Sequence, residues 1–269
     1  MFISGDTVTS KTRTVELDKG KHNRAKLGFI LMSTDLAAES DFYDMVPEGV
    51  AVHVTRLKTE DRTTNETLAR HIDAMADAAS RLQPDAKPDV ICYGCTSGSI
   101  VNGEENVMAE IVKGAPYAKP MTIATGVVDA LMELGVKKLV VGTPYIDEIN
   151  TAEAEFLLEK GFEVLDIQGL NLTTGLEFGY VTPAYWKKFA LEIDHPDADA
   201  IFLSCSGIRS LEVVEEIEAL IGKPVITSNQ AQMWSCLRRA GITDKITGFG
   251  QIFSKPGSSL QPPDAEKGQ

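Results

Sequence analysis

The fold of this chain is decided by a hydrophobic strand that ends on a thiol, Val90-Ile91-Cys92-Tyr93-Gly94-Cys95-Thr96-Ser97-Gly98-Ser99. The same arrangement returns further along the chain, in Ala200-Ile201-Phe202-Leu203-Ser204-Cys205-Ser206-Gly207. Open α/β sheets bind their ligands at the carboxyl ends of parallel strands, which is where both thiols fall. Small hydroxyl residues after each cysteine indicate that a helix begins there, and a helix N-terminus favours an anion or a thiolate. We therefore expect two thiols that face one small anionic substrate.

The two halves of the chain resemble each other beyond the cysteines. Cys95 is followed by a helical stretch, by Lys119-Pro120-Met121-Thr122 and by a helix that closes on a glycine. Cys205 is followed in the same order by a helical stretch, by Lys223-Pro224-Val225-Ile226-Thr227 and by a helix that closes on a glycine. From one half to the other, the cysteines are 110 positions apart, the prolines 104 and the closing glycines 106. A repeat of this length has the size of a domain. We interpret this as a duplicated α/β lobe; the alternative is a chance similarity between two ordinary runs of strands and helices.

Strands and helices alternate along the chain. Hydrophobic runs of strand type are found at 26–32, 50–57, 89–94, 121–124, 139–142, 162–167, 200–204 and 224–227, with a last strand near Ile246. Helical patterns are found at 63–82, 148–160, 183–193, 209–221 and 230–240. Thr63 and Glu66 have the spacing of a capping box. Alternation of this kind predicts an α/β fold, in which parallel sheets carry helices on both faces.

Composition limits the class of protein and its partners. The chain has 269 residues, 43% of them hydrophobic and 24% charged, as in ordinary globular proteins. Its net charge of −13 argues against a nucleic-acid partner, because neutralising phosphates requires clustered Lys and Arg. No run approaches the ~20 apolar residues of a membrane span, so no membrane partner is expected. Four cysteines in a chain of this size do not make a disulfide scaffold, which favours a cytoplasmic location.

The remaining cysteines and the histidines give weaker signals. Cys92 and Cys95 have the Cys-x-x-Cys spacing of thioredoxin-like redox sites, but Cys92 falls inside the strand and is expected in the core. Cys236 is expected in the core as well, on the apolar face of its helix. The four histidines lack the spacing of metal ligands, so no metal site is predicted. The first 24 residues and the tail from Lys255 are expected to be loose ends or oligomer contacts.

The segment around Cys95 and the long run from Leu203 to Gln230 resemble the Asp/Glu racemase superfamily. More narrowly, the chain is similar to the branch that holds maleate cis-trans isomerases, arylmalonate decarboxylases and a protein of ectoine utilisation. The resemblance implies two pseudo-symmetric flavodoxin-like lobes with parallel sheets and an active site in the cleft between them. Its N-terminal lobe, 25–126 plus 244–260, would carry Cys95, and its C-terminal lobe, 127–243, would carry Cys205. It also implies catalysis without a cofactor, and a homodimer.

The resemblance assigns roles to particular residues. Cys95 and Cys205 would be the catalytic thiols, on opposite faces of a small carboxylate substrate. The substrate-binding residues that it implies are the donors Thr96 and Ser97, the phenol of Tyr145, the group Ser33, Thr34 and Asp35 after the first strand, and Ser206 and Gly207 after the second cysteine. Decarboxylases of this branch have a glycine in place of Cys95. The presence of both thiols therefore favours an isomerase or a racemase.

Two positions depart from the maleate isomerases that the chain resembles. Those enzymes have an asparagine where this chain has Asp35, and another near the position of Gly175. An aspartate that faces a dicarboxylate substrate would repel it, strongly so if the site is desolvated. Either Asp35 points away and caps the next helix, or the substrate carries a cation or a donor such as an amine. These departures favour a substrate other than maleate.

The expected chemistry depends on the ionisation of the thiols. A free thiol titrates near ~8.5, and we expect the helix N-terminus to lower its pKa toward neutrality, giving one thiolate and one thiol. Such a pair either inverts a carbon centre as base and acid, or isomerises a double bond by addition, rotation and elimination. The leading hypothesis is a cofactor-independent isomerase or racemase of a small carboxylic acid. The alternatives are a lyase that decarboxylates a malonate-like acid with Cys205 as proton donor, and a non-catalytic two-lobed binding protein.

Overall fold

The first strand forms because nearly every residue of Ala25–Met32 is apolar and can be buried on both faces of a parallel sheet. The computed structural model describes residues 11–18, 20–257 and 260. Of the termini expected to be loose, residues 1–10, 19, 258–259 and 261–269 lie outside the described residues, and 11–18 form neither helix nor strand. Within the described ranges, no helix combines the length and the apolar content needed to span a bilayer.

In the described part of the chain, eight strands form two four-stranded sheets with all neighbours parallel. The strands are β1 (Ala25–Met32), β2 (Val50–Leu57), β3 (Val90–Tyr93), β4 (Lys119–Thr122), β5 (Lys138–Thr143), β6 (Glu163–Gly169), β7 (Ala200–Leu203) and β8 (Val225–Thr227). The first sheet has the order β2-β1-β3-β4 and the second the order β6-β5-β7-β8. The same order thus occurs twice, which confirms the predicted α/β fold of two pseudo-symmetric lobes.

Helices connect the strands and cover the sheets. Those of the described residues are α1 (Ala38–Met45), α2 (Asn65–Ala69), α3 (Met75–Ser80), α4 (Thr96–Asn102), α5 (Glu104–Gly114), α6 (Ile123–Glu133), α7 (Asp147–Glu159), α8 (Gly175–Tyr180), α9 (Pro183–Ile193), α10 (Val214–Ile221) and α11 (Ser228–Arg239). Short 3₁₀ helices lie at Arg70–Ala74, Leu211–Val213 and Gln251–Ser254. The eight strands predicted between residues 26 and 227, and helix α9, are confirmed to within a few residues at their ends.

Two predicted helices are wrong in their extent. The helix predicted at 63–82 is divided into α2, a 3₁₀ helix and α3. Its cap is Thr64 instead of Thr63, because the Thr64 hydroxyl accepts the N–H of Thr67 at 3.2 Å and Thr67 closes the capping box in place of Glu66. The helix predicted at 209–221 begins only at Val214, after a turn and a 3₁₀ helix. No helix therefore starts directly after the second cysteine.

The strand predicted near Ile246 is wrong. The buried guanidinium of Arg238 occupies the carbonyl groups of this region, donating to the carbonyls of Ile242 at 2.8 Å and of Asp244 and Phe253 at 3.2 Å. Carbonyls that bind a side chain in this way are not available for a ladder with a neighbouring strand. The segment is a loop that wraps around Arg238.

Helices α6 and α11 join the two lobes. They follow the last strand of each sheet and pack against each other, and α11 also contacts α1 and β3 of the first lobe. Their close approach requires Gly126, where a Cβ would lie 3.0 Å from the Cα of Gln232 and 3.2 Å from the carbonyl oxygen of Ala231. One apolar core runs through both sheets as a result. The lobe boundaries expected from the sequence, one of which falls inside α6 after residue 126 and the other in the loop after α11, stay a prediction.

Candidate active site

The site lies where the central strands of both sheets end. Asp35 follows β1 and Cys95 follows β3, while Tyr145 follows β5 and Cys205 follows β7. The carboxyl ends of such strands meet at a crevice where the strand order reverses. Here they enclose a cavity of about 420 Å³, its open mouth included. The predicted residues that line this cavity are Thr34, Asp35, Ser97, Tyr145, Cys205, Ser206 and Gly207.

Cys95 caps the helix that follows the first motif, as the sequence predicts. Its Sγ accepts the backbone N–H of Gly98 at 3.3 Å and lies 3.8 Å from the Oγ of Ser97, which lines the cavity. The thiol is 7% exposed. A Cβ at Gly98 would collide with the hydroxyl of Tyr93 and would lie 3.0 Å from the Sγ of Cys95. The glycine thus allows the phenol and the thiol to approach the start of α4 together.

Cys205 has an unusual backbone conformation. Its φ is 130°, a value that side-chain-bearing residues rarely adopt and that stores local strain. Its N–H donates to the Oγ of Ser228 at 3.0 Å, and its Sγ accepts the N–H of Gly207 at 3.3 Å. The Ser228 hydroxyl also accepts the hydroxyl of Thr96 at 2.9 Å. A single buried hydroxyl thereby connects the backbone of the second cysteine with the residue that follows the first.

The pKa of both thiols is raised, whereas the sequence predicted a lowered pKa. Burial is the largest cause for Cys95 and for Cys205, because a thiolate in this site loses its hydration. The N–H of Gly98 lowers the pKa of the first thiol, and the hydroxyl of Tyr145 lowers that of the second, without offsetting burial. The charge of Asp35 raises both. Both thiols are therefore protonated at neutral pH.

Asp35 caps the next helix, as one of the two alternatives expects, and it also lines the cavity; the other alternative, a substrate with a cation or a donor, stays a prediction. Its Oδ1 accepts the N–H groups of Ala37 and Ala38, so the carboxylate caps the start of α1. The residue nevertheless lines the cavity and is 7% exposed. Burial is the largest cause that raises the pKa of its carboxyl.

Two predicted site residues have side chains engaged elsewhere. Ser33 is exposed, and its Oγ accepts the N–H of Thr59 at 3.2 Å, which fastens the end of β1 to the loop after β2. The Thr96 hydroxyl is held by Ser228. The catalytic and substrate-binding roles of all ten predicted residues stay predictions.

A short helix that the sequence analysis missed closes one side of the cavity. Helix α8 contributes Gly175 and Phe178 to the wall. Its signal was present in the sequence as a capping box: the Thr174 hydroxyl accepts the N–H of Glu177 at 3.3 Å, and the Glu177 carboxylate accepts the N–H of Thr174 at 2.9 Å. A Cβ at Gly175 would lie 2.8 Å from the Oγ1 of Thr34. The start of α8 therefore rests directly on the loop after β1.

A buried histidine also reaches the site. His71 lines the cavity, and its ring forms hydrogen bonds to the hydroxyl of Tyr93 at 2.7 Å and to that of Thr59 at 2.8 Å. Burial lowers the pKa of His71 to about 4, so the imidazole is neutral at physiological pH. The Tyr93 phenol in turn lowers the pKa of Cys95. No spacing pattern in the sequence predicts this hydrogen-bonded group, because Thr59, His71 and Tyr93 come from three separate segments of the chain.

The other two cysteines lie in the core, as predicted. All four cysteines are free and buried. The Sγ of Cys92 lies 3.5 Å from the Oε1 of Gln232, and that of Cys236 lies 3.3 Å from the Sδ of Met121. In the described ranges, no group of three or more His, Cys, Asp or Glu side chains is arranged to hold a metal ion.

The comparisons with known proteins confirm the branch of the Asp/Glu racemase superfamily that the sequence resembles. Within it, the chain belongs to the arylmalonate decarboxylase family, whose model matches residues 39–253. It is 30% identical to the arylmalonate decarboxylase of Bordetella bronchiseptica over 194 residues, covering 68% of this chain and 78% of that one.

Maleate isomerases are similar over more of the chain. The enzyme of Pseudomonas putida is 25% identical over 244 residues, which cover 85% of this chain and 97% of that one. Among solved structures, a mutant maleate cis-trans isomerase of Nocardia farcinica with a covalently bound succinylcysteine intermediate has a TM-score of 0.78 at 21% identity. That likeness covers 85% of this chain and 98% of the other.

Proposed function

We propose that this chain is a cofactor-independent isomerase or racemase of a small carboxylic acid, with Cys95 and Cys205 as its reacting groups. The observation that carries the proposal is that Cys205 lines the cavity, while Cys95, which is not among the lining residues, has its Sγ 3.8 Å from the Oγ of the lining residue Ser97. The two cysteines are close enough for the charge of Cys95 to raise the pKa of Cys205, and the hydroxyl of Tyr145 lies beside Cys205. Membership of the family and likeness to maleate isomerases support it. The homodimer and the cytoplasmic location expected from the sequence belong to the same proposal and stay predictions.

The first route within this proposal is racemisation by proton transfer. One thiol first loses its proton to solvent. The resulting thiolate removes the proton from the carbon beside the carboxylate, and the electron pair moves into the carboxylate as an enediolate. The hydroxyls of Ser97 and Tyr145 offer hydrogen bonds to the oxygen atoms on which this charge develops. The other thiol then delivers its proton to the opposite face of the same carbon, which inverts it and leaves one thiolate and one thiol.

The second route is cis-trans isomerisation by covalent addition. A thiolate adds to one alkene carbon, and the electron pair of the double bond moves toward the carboxylate on the neighbouring carbon. Rotation about the new single bond and expulsion of the thiolate give the trans product with no net gain or loss of protons. The succinylcysteine seen in the Nocardia isomerase is the kind of adduct that this route produces. Both routes use the same two cysteines.

A decarboxylase is the second candidate function. The family model and the relative from Bordetella bronchiseptica favour it. In that case Cys205 alone would donate a proton to the enediolate that remains after CO₂ leaves, and Cys95 would be dispensable.

The test is incubation in deuterated water with a panel of small monocarboxylates, dicarboxylates and amino acids. Exchange of the hydrogen beside a carboxylate would report the first route, fumarate formed from maleate the second, and CO₂ release from phenylmalonate the decarboxylase. Cys95→Ser and Cys205→Ser should each reduce isomerisation or exchange by at least about 10³-fold, since each removes the acid or the base. Cys236→Ala is the matched control, because this thiol lies in the core. A Cys95→Ser or Cys205→Ser variant that keeps near-normal turnover would refute the paired-thiol proposal.

A further inference from the structure

The two oxygen atoms of the Asp35 carboxylate have different surroundings. Oδ1 accepts the N–H of Ala37 at 3.0 Å and that of Ala38 at 2.9 Å, which fixes the orientation of the group. Oδ2 is buried and has no hydrogen-bond partner among the residues that the structure describes. The Ser206 hydroxyl is close enough to the Asp35 carboxyl to lower its pKa as a side-chain donor, although it does not meet hydrogen-bond geometry with Oδ2. A buried carboxylate oxygen without a donor is costly, so this atom is poised to bind a donor from a ligand.

No cationic side chain of the described residues forms a hydrogen bond to this oxygen. Arg56 is the cation whose charge acts on the Asp35 carboxyl. Its guanidinium, however, donates to the backbone carbonyls of Met32 and Asp35, both at 2.9 Å, and to the carboxylate of Glu39 at 2.7 Å. Its donors are thus used on backbone groups and on another acid.

Asp35 is the only carboxyl group on the cavity wall among the described residues. Burial raises its pKa, and a cation at Oδ2 would favour the ionised carboxylate. The wall contains no Lys or Arg among the described residues. The imidazole of His71 is neutral because burial lowers its pKa to about 4, and burial keeps Tyr145 and Cys205 protonated by raising their pKa. A dicarboxylate would therefore bring two negative charges to a wall whose acidic group is Asp35 and which carries no positive side chain of its own, with Arg56 acting from outside the wall.

We propose that Asp35 determines specificity by binding a protonated amine of the substrate through Oδ2, so that the site takes a small amino carboxylic acid. The inference rests on the proposed function and names its substrate class. The substrate carboxylate would meet Ser97 and Tyr145, and its ammonium group would meet Asp35. The carbon that carries both groups would then lie between the thiols, which selects racemisation over cis-trans isomerisation.

The same contact affects the ionisation of the thiols. The charge of Asp35 raises the pKa of Cys95 and of Cys205. An ammonium group bound at Asp35 offsets that charge and so favours the thiolate that the reaction requires. A substrate without the amine leaves the thiols protonated. Recognition of the amine and formation of the base are thereby coupled.

The experiment compares ligands that differ only by the amine. Titration calorimetry at pH 7.5 measures the Kd of D- and L-aspartate against succinate, of D- and L-glutamate against glutarate, and of D- and L-alanine against propionate. Wild type should bind the amino member of at least one pair at least 10-fold more tightly. Asp35→Asn, which keeps an oxygen to cap α1, should reduce that ratio to threefold or less, and Asp35→Ser should do the same. Asp41→Asn is the matched control: its carboxyl is buried on α1, lies outside the cavity wall and accepts from Asn229, so the ratio should be unchanged.

The outcomes separate this inference from the function on which it rests. Equal affinity within every pair, absence of binding by all the probes, or a preference that survives in Asp35→Asn and Asp35→Ser would overturn the role of Asp35. Hydrogen exchange confined to the acids without an amine would overturn it too, while leaving the paired-thiol proposal standing. Amine-dependent binding with no exchange at the carbon would support the role of Asp35 and refute the proposed racemase.

Discussion

Replacing Ser228 by alanine tests whether one hydroxyl holds the two halves of the site together. The Ser228 Oγ accepts the N–H of Cys205 at 3.0 Å and the hydroxyl of Thr96 at 2.9 Å, and all three residues are buried. Ser228→Ala leaves two buried donors without an acceptor, each at a cost of about 1–3 kcal/mol. The same substitution allows the backbone strain at Cys205, of order 1–3 kcal/mol, to relax. That relaxation offsets part of the cost of the two unsatisfied donors. The expected net loss of stability is about 2–3 kcal/mol.

The assay combines urea denaturation with turnover on the substrate that the ligand panel identifies. Thr96→Val removes one hydrogen bond and leaves the N–H of Cys205 satisfied, so it should cost about 1 kcal/mol. Because Ser228→Ala frees Cys205 to move, it should also lower kcat at least 10-fold, since small displacements of a reacting group are expensive. The double variant should show a coupling energy of about 0.5–3 kcal/mol between the two sites. Ser80→Ala, at an exposed serine, should stay within about 0.5 kcal/mol of wild type.

Two results would refute this reasoning about Ser228. One is a Ser228→Ala variant whose free energy of unfolding lies within about 0.5 kcal/mol of wild type, a change typical of surface positions. The other is a variant that is destabilised as expected but turns over at the wild-type rate. The second result would mean that the backbone of Cys205 keeps its conformation without this hydrogen bond.

A methyl group at Gly98 would collide with the Tyr93 hydroxyl, so Gly98→Ala should lower the melting temperature and adding Tyr93→Phe should restore part of the loss. Burial raises the pKa of Glu153 from 4.5 to about 7, so its contribution to stability is full below pH 4.5 and is lost, by about 3 kcal/mol, as pH rises to 7. Urea denaturation at a series of pH values should show this fall in the free energy of unfolding, and Glu153→Gln should make the fall smaller. Burial lowers the pKa of His71 from 6.5 to about 4, so stability should fall as pH drops through that window. An NMR titration of the His71 ring should show no midpoint above pH 5.

The strands and the two cysteines were predictable because their signals are local. A continuous apolar run such as that of β1 or β7 specifies a buried strand, and a thiol at its carboxyl end is placed at the sheet edge by the fold alone. The order of strands repeats between the lobes as the internal repeat of the sequence predicts. Each cysteine accordingly follows a central strand of its own sheet, Cys95 after β3 and Cys205 after β7.

The features of the structure that the sequence did not predict depend on contacts between distant segments. The pKa of Cys95 follows from burial, which is a property of the whole site and outweighs the single N–H of Gly98. Likewise, the loop near residue 246 departs from a strand because Arg238 occupies its carbonyls. The contact between His71 and Tyr93 joins positions that share no spacing rule. Helix α8, by contrast, carried a readable capping box at Thr174.

The pairing of α6 and α11 through Gly126 limits how a substrate enters. Swinging the lobes apart would separate two helices whose backbones nearly touch and would expose the apolar core common to both sheets. Because the cavity has an open mouth, a substrate can enter and leave it while α6 and α11 stay in contact. The groups that follow the central strands of the two sheets therefore keep their spacing during substrate exchange.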